Sequence, residues 1–349
     1  MDWRHGRAPA HPLRPGDTIA VTAPSSGVPP TLQPRLDLAV AGLRRRGFEV
    51  VEGVCLRGGD HVSASREARA DELMALLVDP DVAAVVPPWG GEAGIDVLPW
   101  LDLDLLSQCD PTWYVGFSDT TTTMLPLTLR AGWATLHGSN LMDTPYAPAP
   151  GHLHWLDVAM AEGGGLTQTA ATHRRAAGWD DYEADPGVDE LTLTEPTGWS
   201  LLEGESASFA GPLIGGCIEV LSPLAGTRFG DVWSWAQVQE QPPVVLLEAA
   251  EGNAFEIARC LHGLRLAGWF DRCAGVVIGR TPAPDAPTLT QHEAVRDALG
   301  GLDVPVVLDA DVGHQQPQMP LVLGVPARVE VGPPTQRVTQ DLTRRTARP

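Results

Sequence analysis

Hydrophobic and polar positions alternate along the first half of the chain in a way that predicts strands and helices in turn. Residues 17–27, DTIAVTAPSSG, form a β-rich run that ends in a turn, and residues 32–47 carry apolar side chains at helical spacing. The order then recurs, because Ser65 is placed to cap a helix and residues 83–88, AAVVPP, form an apolar strand. A third strand is predicted in residues 111–119, PTWYVGFSD, before a helix that Pro126 should kink or shorten.

This alternation predicts an α/β fold, with a Rossmann-like domain of parallel strands in residues 1–165. In such sheets, the groups that bind ligands lie at the carboxyl ends of the strands. Gly90, Gly91 and Ser118 all fall at predicted strand ends. A glycine pair there lets the backbone approach a ligand closely, although an ordinary turn would have the same sequence.

The pattern changes in the second half of the chain. Residues 166–205 are predicted to form a connector with a long Trp-bearing loop, because Pro, Gly, Asp and Trp replace the periodic segments. Residues 206–335 are predicted to form a β-rich α+β domain, with strands in PPVVLLE, CAGVVIGR, VPVVLDADVGH and ARVEVG. Residues 336–349 are expected to be a polar, partly disordered tail.

Composition restricts the class of protein. The hydrophobic fraction of 43% and the charged fraction of 19% are typical of a globular chain. No apolar run approaches the ~20 residues that span a bilayer, and the first residues do not resemble a signal peptide. We therefore expect no membrane association and a cytoplasmic location. The formal charge of -20 repels phosphate backbones, so nucleic acid is not an expected partner.

Cysteine and lysine usage narrows the chemistry. The five cysteines include no C-x-x-C pair, which argues against a disulfide framework and against a metal site. All 24 basic residues are arginine, so a Schiff-base lysine, a Ser-Lys dyad and a Walker A lysine are excluded. Nucleophilic chemistry must then use Ser, Thr, Cys or a carboxylate, with His as the expected base. No G-x-G-x-x-G fingerprint follows a predicted strand, and no cofactor is predicted.

Ser118 has two interpretations. A serine between a strand and a helix can present its hydroxyl as a nucleophile, with the following backbone N–H groups free to bind an oxyanion. The same position suits a helix cap, and the local sequence by itself favours the cap. Thr120 occupies the second glycine position of G-x-S-x-G, so the α/β-hydrolase elbow is a poor match.

A carboxylate and a histidine at later strand ends complete a possible triad. Glu248 closes the strand PPVVLLE, although Glu251 and Glu256 compete with it on sequence grounds. His314 follows another strand and a glycine, in DADVGHQQPQMP, and His137 in TLHGSN is a further candidate. The D-x-D-x-x-H spacing before His314 is not a strong metal-ligand pattern. Sequence alone does not show whether Ser118, Glu248 and His314 meet in space.

Seven segments, in order along about residues 14–332, resemble the LD-carboxypeptidase family: GDTIAVTAPSSG, WGGEAGIDVLPWLD, VGFSDTTTT, LHGSN, GPLIGGCIEVLSPLAGT, VVLLEAAEG and GHQQPQMPLVLGVPARV. The resemblance implies a cofactor-independent serine peptidase, usually a homodimer, whose N-terminal domain carries Ser118 and whose C-terminal domain carries Glu248 and His314. It also implies that the backbone amides of Gly91 and Asp119 bind the oxyanion. The cap is then expected to fall to Asp119 or the threonines that follow.

The family has two branches, which trim D-alanine from murein tetrapeptides or hydrolyse the amide of a peptidyl- or aminoacyl-nucleotide toxin similar to microcin C. The segment WGGE, the run GGCIEVL and the Trp-bearing loop look more like the second branch. Trp179 or Trp199 would then stack on a base, and the alternative is that they only anchor the loop. A homologue that binds ligands without turnover is a further alternative. The chain departs from the family in having HGS in place of HGP, and in Pro126.

Overall fold

The structure, a computed structural model, describes residues 9–58 and 61–343. The strands in this part of the chain are β1 Thr18–Val21, β2 Glu49–Glu52, β3 Val82–Val85, β4 Trp113–Gly116, β5 Thr135–His137, β6 Gly165–Thr169, β7 His173–Arg174, β8 Glu195–Pro196, β9 Ser200–Leu201, β10 Ala207–Cys217, β11 Val244–Glu248, β12 Gly275–Gly279, β13 Val306–Ala310, β14 Leu321–Leu323, β15 Pro326–Gly332 and β16 Thr335–Asp341. The helices are α1 Gln33–Arg45, α2 Arg66–Val78, α3 Leu103–Leu106, α4 Thr121–Pro126, α5 Trp155–Ala159, α6 Ile218–Leu221, α7 Val232–Val238, α8 Ala254–Leu266 and α9 Gln291–Leu299. None of the helices described is long and apolar enough to cross a membrane.

The N-terminal sheet has six strands in the order β14-β5-β4-β3-β1-β2. The five strands from the first half of the chain pair in parallel, while β14 joins β5 antiparallel. Apolar side chains of the sheet and of α1 form one buried core. The predicted Rossmann-like arrangement is confirmed, and it puts the ends of β3 and β4 at the same edge of the sheet.

The C-terminal sheet has eight strands in the order β6-β16-β15-β10-β11-β12-β13-β9. Its centre, β10 to β13, is parallel, and antiparallel strands extend it on both sides. A two-stranded ribbon of β7 and β8 lies outside both sheets. The predicted β-rich α+β character of this region is confirmed.

Local signals mark several of the helix ends. The Ser65 side chain accepts from the Ala68 N–H at 3.2 Å, so the predicted cap of α2 is confirmed. Asn253 and Glu256 form a reciprocal capping box that begins α8. The α-helix after Ser118 ends at Pro126 and continues as one wide π-helical turn, which confirms the predicted shortening.

Two segments contain strands that the sequence pattern does not predict. Residues 336–341, the first part of the predicted polar tail, belong to β16, which pairs with β15 on one side and with β6 on the other. Residues 344–349 lie outside the described part of the chain. The connector 166–205 supplies most of β6 and all of β9 to the eight-stranded sheet. These polar strands form because they pair with strands from distant parts of the chain, and the local sequence does not predict that pairing.

The two sheets meet behind Ser118. Gly216 near the end of β10 has φ 145°, and a Cβ there would lie 2.7 Å from the Thr121 side chain. The Cys217 N–H donates to Thr121 Oγ1 at 3.3 Å. Only glycine permits this approach, and it brings the carboxyl end of β10 against the start of α4.

Candidate active site

Ser118 sits in a strained turn between β4 and α4. Its φ is 63°, and Ser118 and Asp309 are the non-glycine residues with positive φ in the part of the chain that the structure describes. Such a conformation costs on the order of 1–3 kcal/mol and persists where surrounding contacts hold it. The Ser118 side chain is half-buried at the carboxyl end of the parallel strands. Strain at this position is typical of a functional serine.

The Asp119 carboxylate holds this turn against the end of β1. It accepts from the Ser25 hydroxyl at 2.7 Å, from the Gly94 N–H at 2.7 Å and from the Thr122 hydroxyl at 2.9 Å. No side chain caps a backbone N–H at this helix start, so the expectation that Asp119 or the threonines form the cap is wrong. The buried carboxylate instead fixes the loop after β3 beside Ser118.

The glycine pair after β3 contacts the serine. A Cβ added to Gly90 would lie 2.8 Å from the Asp119 nitrogen and 2.9 Å from Ser118 Oγ, and at Gly91, with φ 137°, it would meet Ser25 and Ser26. The backbone of this loop therefore passes close to the serine, because a side chain at Gly90 would overlap Ser118, and one at Gly91 would overlap Ser25 and Ser26. The structure brings Gly90 to Ser118, whereas Gly91 lies against Ser25 and Ser26.

Glu248 and His314 form a buried pair. His314 Nδ1 donates to Glu248 Oε2 at 2.6 Å, with the carboxylate fully buried at the end of β11 and the histidine side chain 13% exposed. Burial raises the pKa of Glu248, but the charge and hydrogen bond of His314 outweigh it and leave the pKa below its usual value. Burial lowers the pKa of His314, but Glu248 raises it further, above the usual value. The carboxylate thus fixes the imidazole with Nδ1 protonated.

Gly313 allows this pair to form. Its φ is 95°, and a Cβ there would lie 2.6 Å from Glu248 Cβ. The Gly313 N–H donates to the Gln318 side chain at 3.1 Å, which holds the turn that carries His314. The competing carboxylates lie elsewhere, since Glu251 is exposed and Glu256 is used in the cap of α8.

The ring of Phe117 packs edge-on against His314 with 4.9 Å between ring centroids, which puts the serine turn beside the histidine. The hydrogen bonds of the described residues include none between Ser118 Oγ and His314. Such bonds are often long without substrate and tighten when it binds. The arrangement matches a nucleophile, a base and an orienting carboxylate from three strand ends.

The two tryptophans of the connector have different positions. Trp179 is 49% exposed, and its ring lies edge-on to His314 with 6.4 Å between centroids. Trp199 is 4% exposed and donates its indole N–H to Asp311 at 3.0 Å, so the prediction that it offers a stacking surface is wrong. The indole ring packs in the hydrophobic core of the C-terminal sheet, together with apolar side chains of β10 to β13.

A cleft opens beside the serine turn. It is lined by aromatic and polar side chains, among them Phe117, Tyr146, Trp179, Asp143 and Gln316. The loop that carries Trp179 is tied to the His314 loop, because the Arg175 N–H donates to the Gln316 carbonyl at 2.9 Å. An aromatic wall with a few polar groups suits a planar ligand with hydrogen-bonding edges.

Cys217 lies next to the pair, and its Sγ and the donor atoms of Glu248 and His314 lie within 4.8 Å of one another. Two zinc ligands in a tetrahedral site are roughly 3.3 Å apart, since each lies ~2.0 Å from the ion. The 2.6 Å separation of His314 Nδ1 and Glu248 Oε2 is that of a hydrogen bond. Burial raises the pKa of the Cys217 thiol well above its usual value, which opposes the thiolate that a metal needs. These residues do not fit a metal.

Sequence reasoning missed two positioning side chains. Ser25 follows β1 in APSSG and bonds Asp119, and Glu219 accepts from three successive backbone N–H groups, of Ala250, Glu251 and Gly252. The strand-end rule could have found Ser25, since its strand ends at the same edge of the sheet. Glu219 gave no local signal, because its partners lie 31 to 33 residues away.

Comparisons with known proteins assign the family. The profile of the LD-carboxypeptidase N-terminal domain matches residues 19–138, and that of the C-terminal domain matches residues 210–329. The chain belongs to the LD-carboxypeptidase family. The two matches lie within the predicted N-terminal and C-terminal domains, and membership supports the assignment of the chain as a serine peptidase.

Individual relatives cover nearly the whole chain. A Vibrio cholerae protein that bears a provisional carboxypeptidase name is 25% identical over 92% of this chain and 94% of its own length. The microcin C7 self-immunity protein MccF of Escherichia coli is 24% identical over 92% of each chain. The solved structure of MccF in complex with glutamyl sulfamoyl guanosine has a TM-score of 0.76 at 20% identity and covers 97% of this chain and all (100%) of that one. A MccF-like protein of Bacillus anthracis has the same TM-score at 20% identity, with 95% and 98% covered. These structures share the fold of this LD-carboxypeptidase.

Proposed function

We propose that this LD-carboxypeptidase is a serine hydrolase in which Ser118 is the nucleophile, His314 the base and Glu248 the orienting carboxylate. One observation carries the proposal: a serine with φ 63° at a strand end lies beside a histidine whose Nδ1 is hydrogen-bonded at 2.6 Å to a buried carboxylate. Nδ1 is occupied by Glu248, so Nε2 is the nitrogen that remains for Ser118.

The reaction then follows from the positions of these groups. His314 Nε2 takes the proton of Ser118 Oγ as the oxygen attacks the amide carbonyl, and the backbone N–H groups of Gly91 and Asp119 stabilise the oxyanion. His314 returns the proton to the leaving amine, which departs and leaves an acyl-enzyme. Water, deprotonated by the same histidine, hydrolyses the ester. No cofactor takes part in these steps.

We propose that the substrate is an aminoacyl- or peptidyl-nucleotide amide similar to microcin C. Trp179 supports this substrate, because its exposed ring and the cleft beside it offer a stacking surface for a base next to the reacting groups. The relative MccF is a microcin C7 self-immunity protein, and it has also been solved in complex with aspartyl sulfamoyl adenosine. The alternative substrate is a murein tetrapeptide that loses its terminal D-alanine, as the family name suggests.

A comparative assay tests both parts of the proposal. Purified protein is incubated with aspartyl sulfamoyl adenosine, glutamyl sulfamoyl adenosine and murein tetrapeptide, and products are followed by mass spectrometry. We expect release of free amino acid from the first two substrates, and loss of at least about 10³-fold in Ser118→Ala. Release of D-alanine alone would favour the cell-wall reaction, whereas binding without any product would favour a non-catalytic homologue.

Two further parts of the proposal are a homodimeric state and a cytoplasmic location. The family resemblance supports the homodimer, and analytical ultracentrifugation of the full chain tests it directly. A fluorescent fusion expressed in a bacterial host, followed by fractionation, tests the location. A monomer at all concentrations would contradict the homodimer. Fluorescence in the secreted fraction would contradict the cytoplasmic location.

A further inference from the structure

Two buried polar groups next to the proposed triad lack hydrogen-bond partners among the described residues. They are Glu248 Oε1, the carboxylate oxygen that faces away from His314 Nδ1, and the two ring nitrogens of His137. His137 Nε2 lies 4.0 Å from Glu248 Oε1, and both side chains are fully buried. A buried carboxylate oxygen without a donor is unfavourable, and the same holds for a buried imidazole N–H without an acceptor.

The strand β5 holds His137 in this position. His137 pairs with Gly116 in the parallel ladder, so it lies beside the turn that carries Ser118. Phe117 packs edge-on against it with 6.4 Å between ring centroids, and also packs edge-on against His314. His137 therefore faces the Glu248 carboxylate from the N-terminal sheet, while His314 faces it from the loop after β13 of the C-terminal sheet.

Burial makes this imidazole neutral. It lowers the pKa of His137 to about 4, because desolvation and the charge of His314 outweigh the attraction of Glu248. A neutral imidazole has one N–H donor and one acceptor, and the oxygen opposite Nε2 can only accept when ionised. The tautomer with the proton on Nε2 is the one that suits the carboxylate.

We propose that His137 is a positioning residue of the triad, whose Nε2–H donates to Glu248 Oε1 in the free protein, where a side-chain movement of about 1 Å closes the 4.0 Å between the two atoms. The inference rests on the proposed function of Glu248 and His314. With both oxygens engaged, one by each histidine, the carboxylate has a fixed rotation and keeps Oε2 directed at His314 Nδ1. His137 touches no reacting atom.

The donor also moderates the basicity of His314. Glu248 raises the pKa of His314, and Glu219 and Asp143 raise it further, while burial lowers it. A hydrogen bond to Oε1 stabilises the carboxylate and weakens its hold on the His314 proton. Loss of the donor should therefore raise the pKa of His314 and reduce the fraction of neutral base at a given pH.

Nuclear magnetic resonance of histidine-labelled protein tests this without any substrate, so its outcome is independent of whether the proposed hydrolysis is found. We expect His137 to be neutral with Nε2 protonated from pH 5 to 9. In His137→Phe the pKa of His314 should rise by about one unit, a tenfold change in proton affinity. His137→Gln, which keeps an N–H₂ donor near the Nε2 position, should restore most of the wild-type value.

His152→Phe is the matched control. His152 is also buried, and its two ring nitrogens lack hydrogen-bond partners in the described part of the chain. Its Nε2 lies 3.5 Å from Oδ2 of Asp311, so it faces a different carboxylate from Glu248. The His152→Phe variant should leave the pKa of His314 unchanged. An equal pKa in wild type and His137→Phe, or a proton on Nδ1 of His137, would overturn the proposal. The wild-type tautomer decides the matter even where His137→Phe fails to fold.

Discussion

Gly90→Ala tests the close approach of backbone to the serine. A Cβ at Gly90 would lie 2.8 Å from the Asp119 nitrogen and from Ser118 Cβ. This is about 0.7 Å inside the ~3.5 Å separation at which heavy atoms pack best, so the loop or the serine turn must move by a similar distance. A displacement approaching 1 Å in a catalytic site costs on the order of 10²-fold in rate. We therefore expect kcat/KM to fall by roughly 30- to 100-fold, or about 2 to 2.7 kcal/mol.

The assay is the hydrolysis that the comparative experiment identifies, measured together with the thermal midpoint. Overpacking should lower the free energy of unfolding by about 1–3 kcal/mol, which leaves a folded protein to assay. Gly263→Ala in α8 is the matched control, because a Cβ there meets no heavy atom within 4 Å. It should raise stability slightly and leave the rate unchanged. A Gly90→Ala protein with kcat/KM within twofold of wild type would refute the proposed contact of this loop with the reacting groups.

Three further predictions follow from the site. In Glu248→Gln, kcat should fall by about 10⁴-fold. Glu248 raises the pKa of His314, so its loss should move the acid limb of the pH profile of kcat/KM to lower pH. An acid limb at the wild-type pH would refute the assignment of His314 as the base. Trp179→Ala should raise KM for a nucleotide-like substrate about tenfold, whereas Trp233→Ala, at a tryptophan of similar exposure, should leave KM unchanged. An equal change of KM in the two variants would exclude stacking of the base on Trp179. Ser25→Ala removes the 2.7 Å hydrogen bond to the buried carboxylate of Asp119, so the free energy of unfolding, measured with urea, should fall by about 1–3 kcal/mol and kcat should also fall. A variant with unchanged stability and kcat would contradict the role of that bond.

Sequence reasoning predicted the parts of the fold that depend on local periodicity. The strands that end before Gly90 and Ser118, and the strand that ends at Glu248, are mostly continuous apolar runs, which is typical of parallel strands covered on both faces. Motif resemblance then selected the serine, glutamate and histidine, and the structure brings His314 and Glu248 within a hydrogen bond.

The remaining features depend on contacts between distant residues. Asp119 looked like a helix cap, but its partner Ser25 lies 94 residues away. Trp199 looked equivalent to Trp179, but it immediately precedes β9 and is buried in the core of the C-terminal sheet. The polar strand β16 forms because β15 and β6 flank it, and its own sequence does not predict that pairing.

Fluorophosphonate labelling followed by intact-mass and peptide analysis is the most direct test of the central claim, since only an activated serine reacts. The account predicts one adduct per chain, on Ser118, and its loss in both Ser118→Ala and His314→Ala. Folded protein that gains no adduct, or that carries the adduct on another serine, would contradict the assignment of Ser118 as the nucleophile.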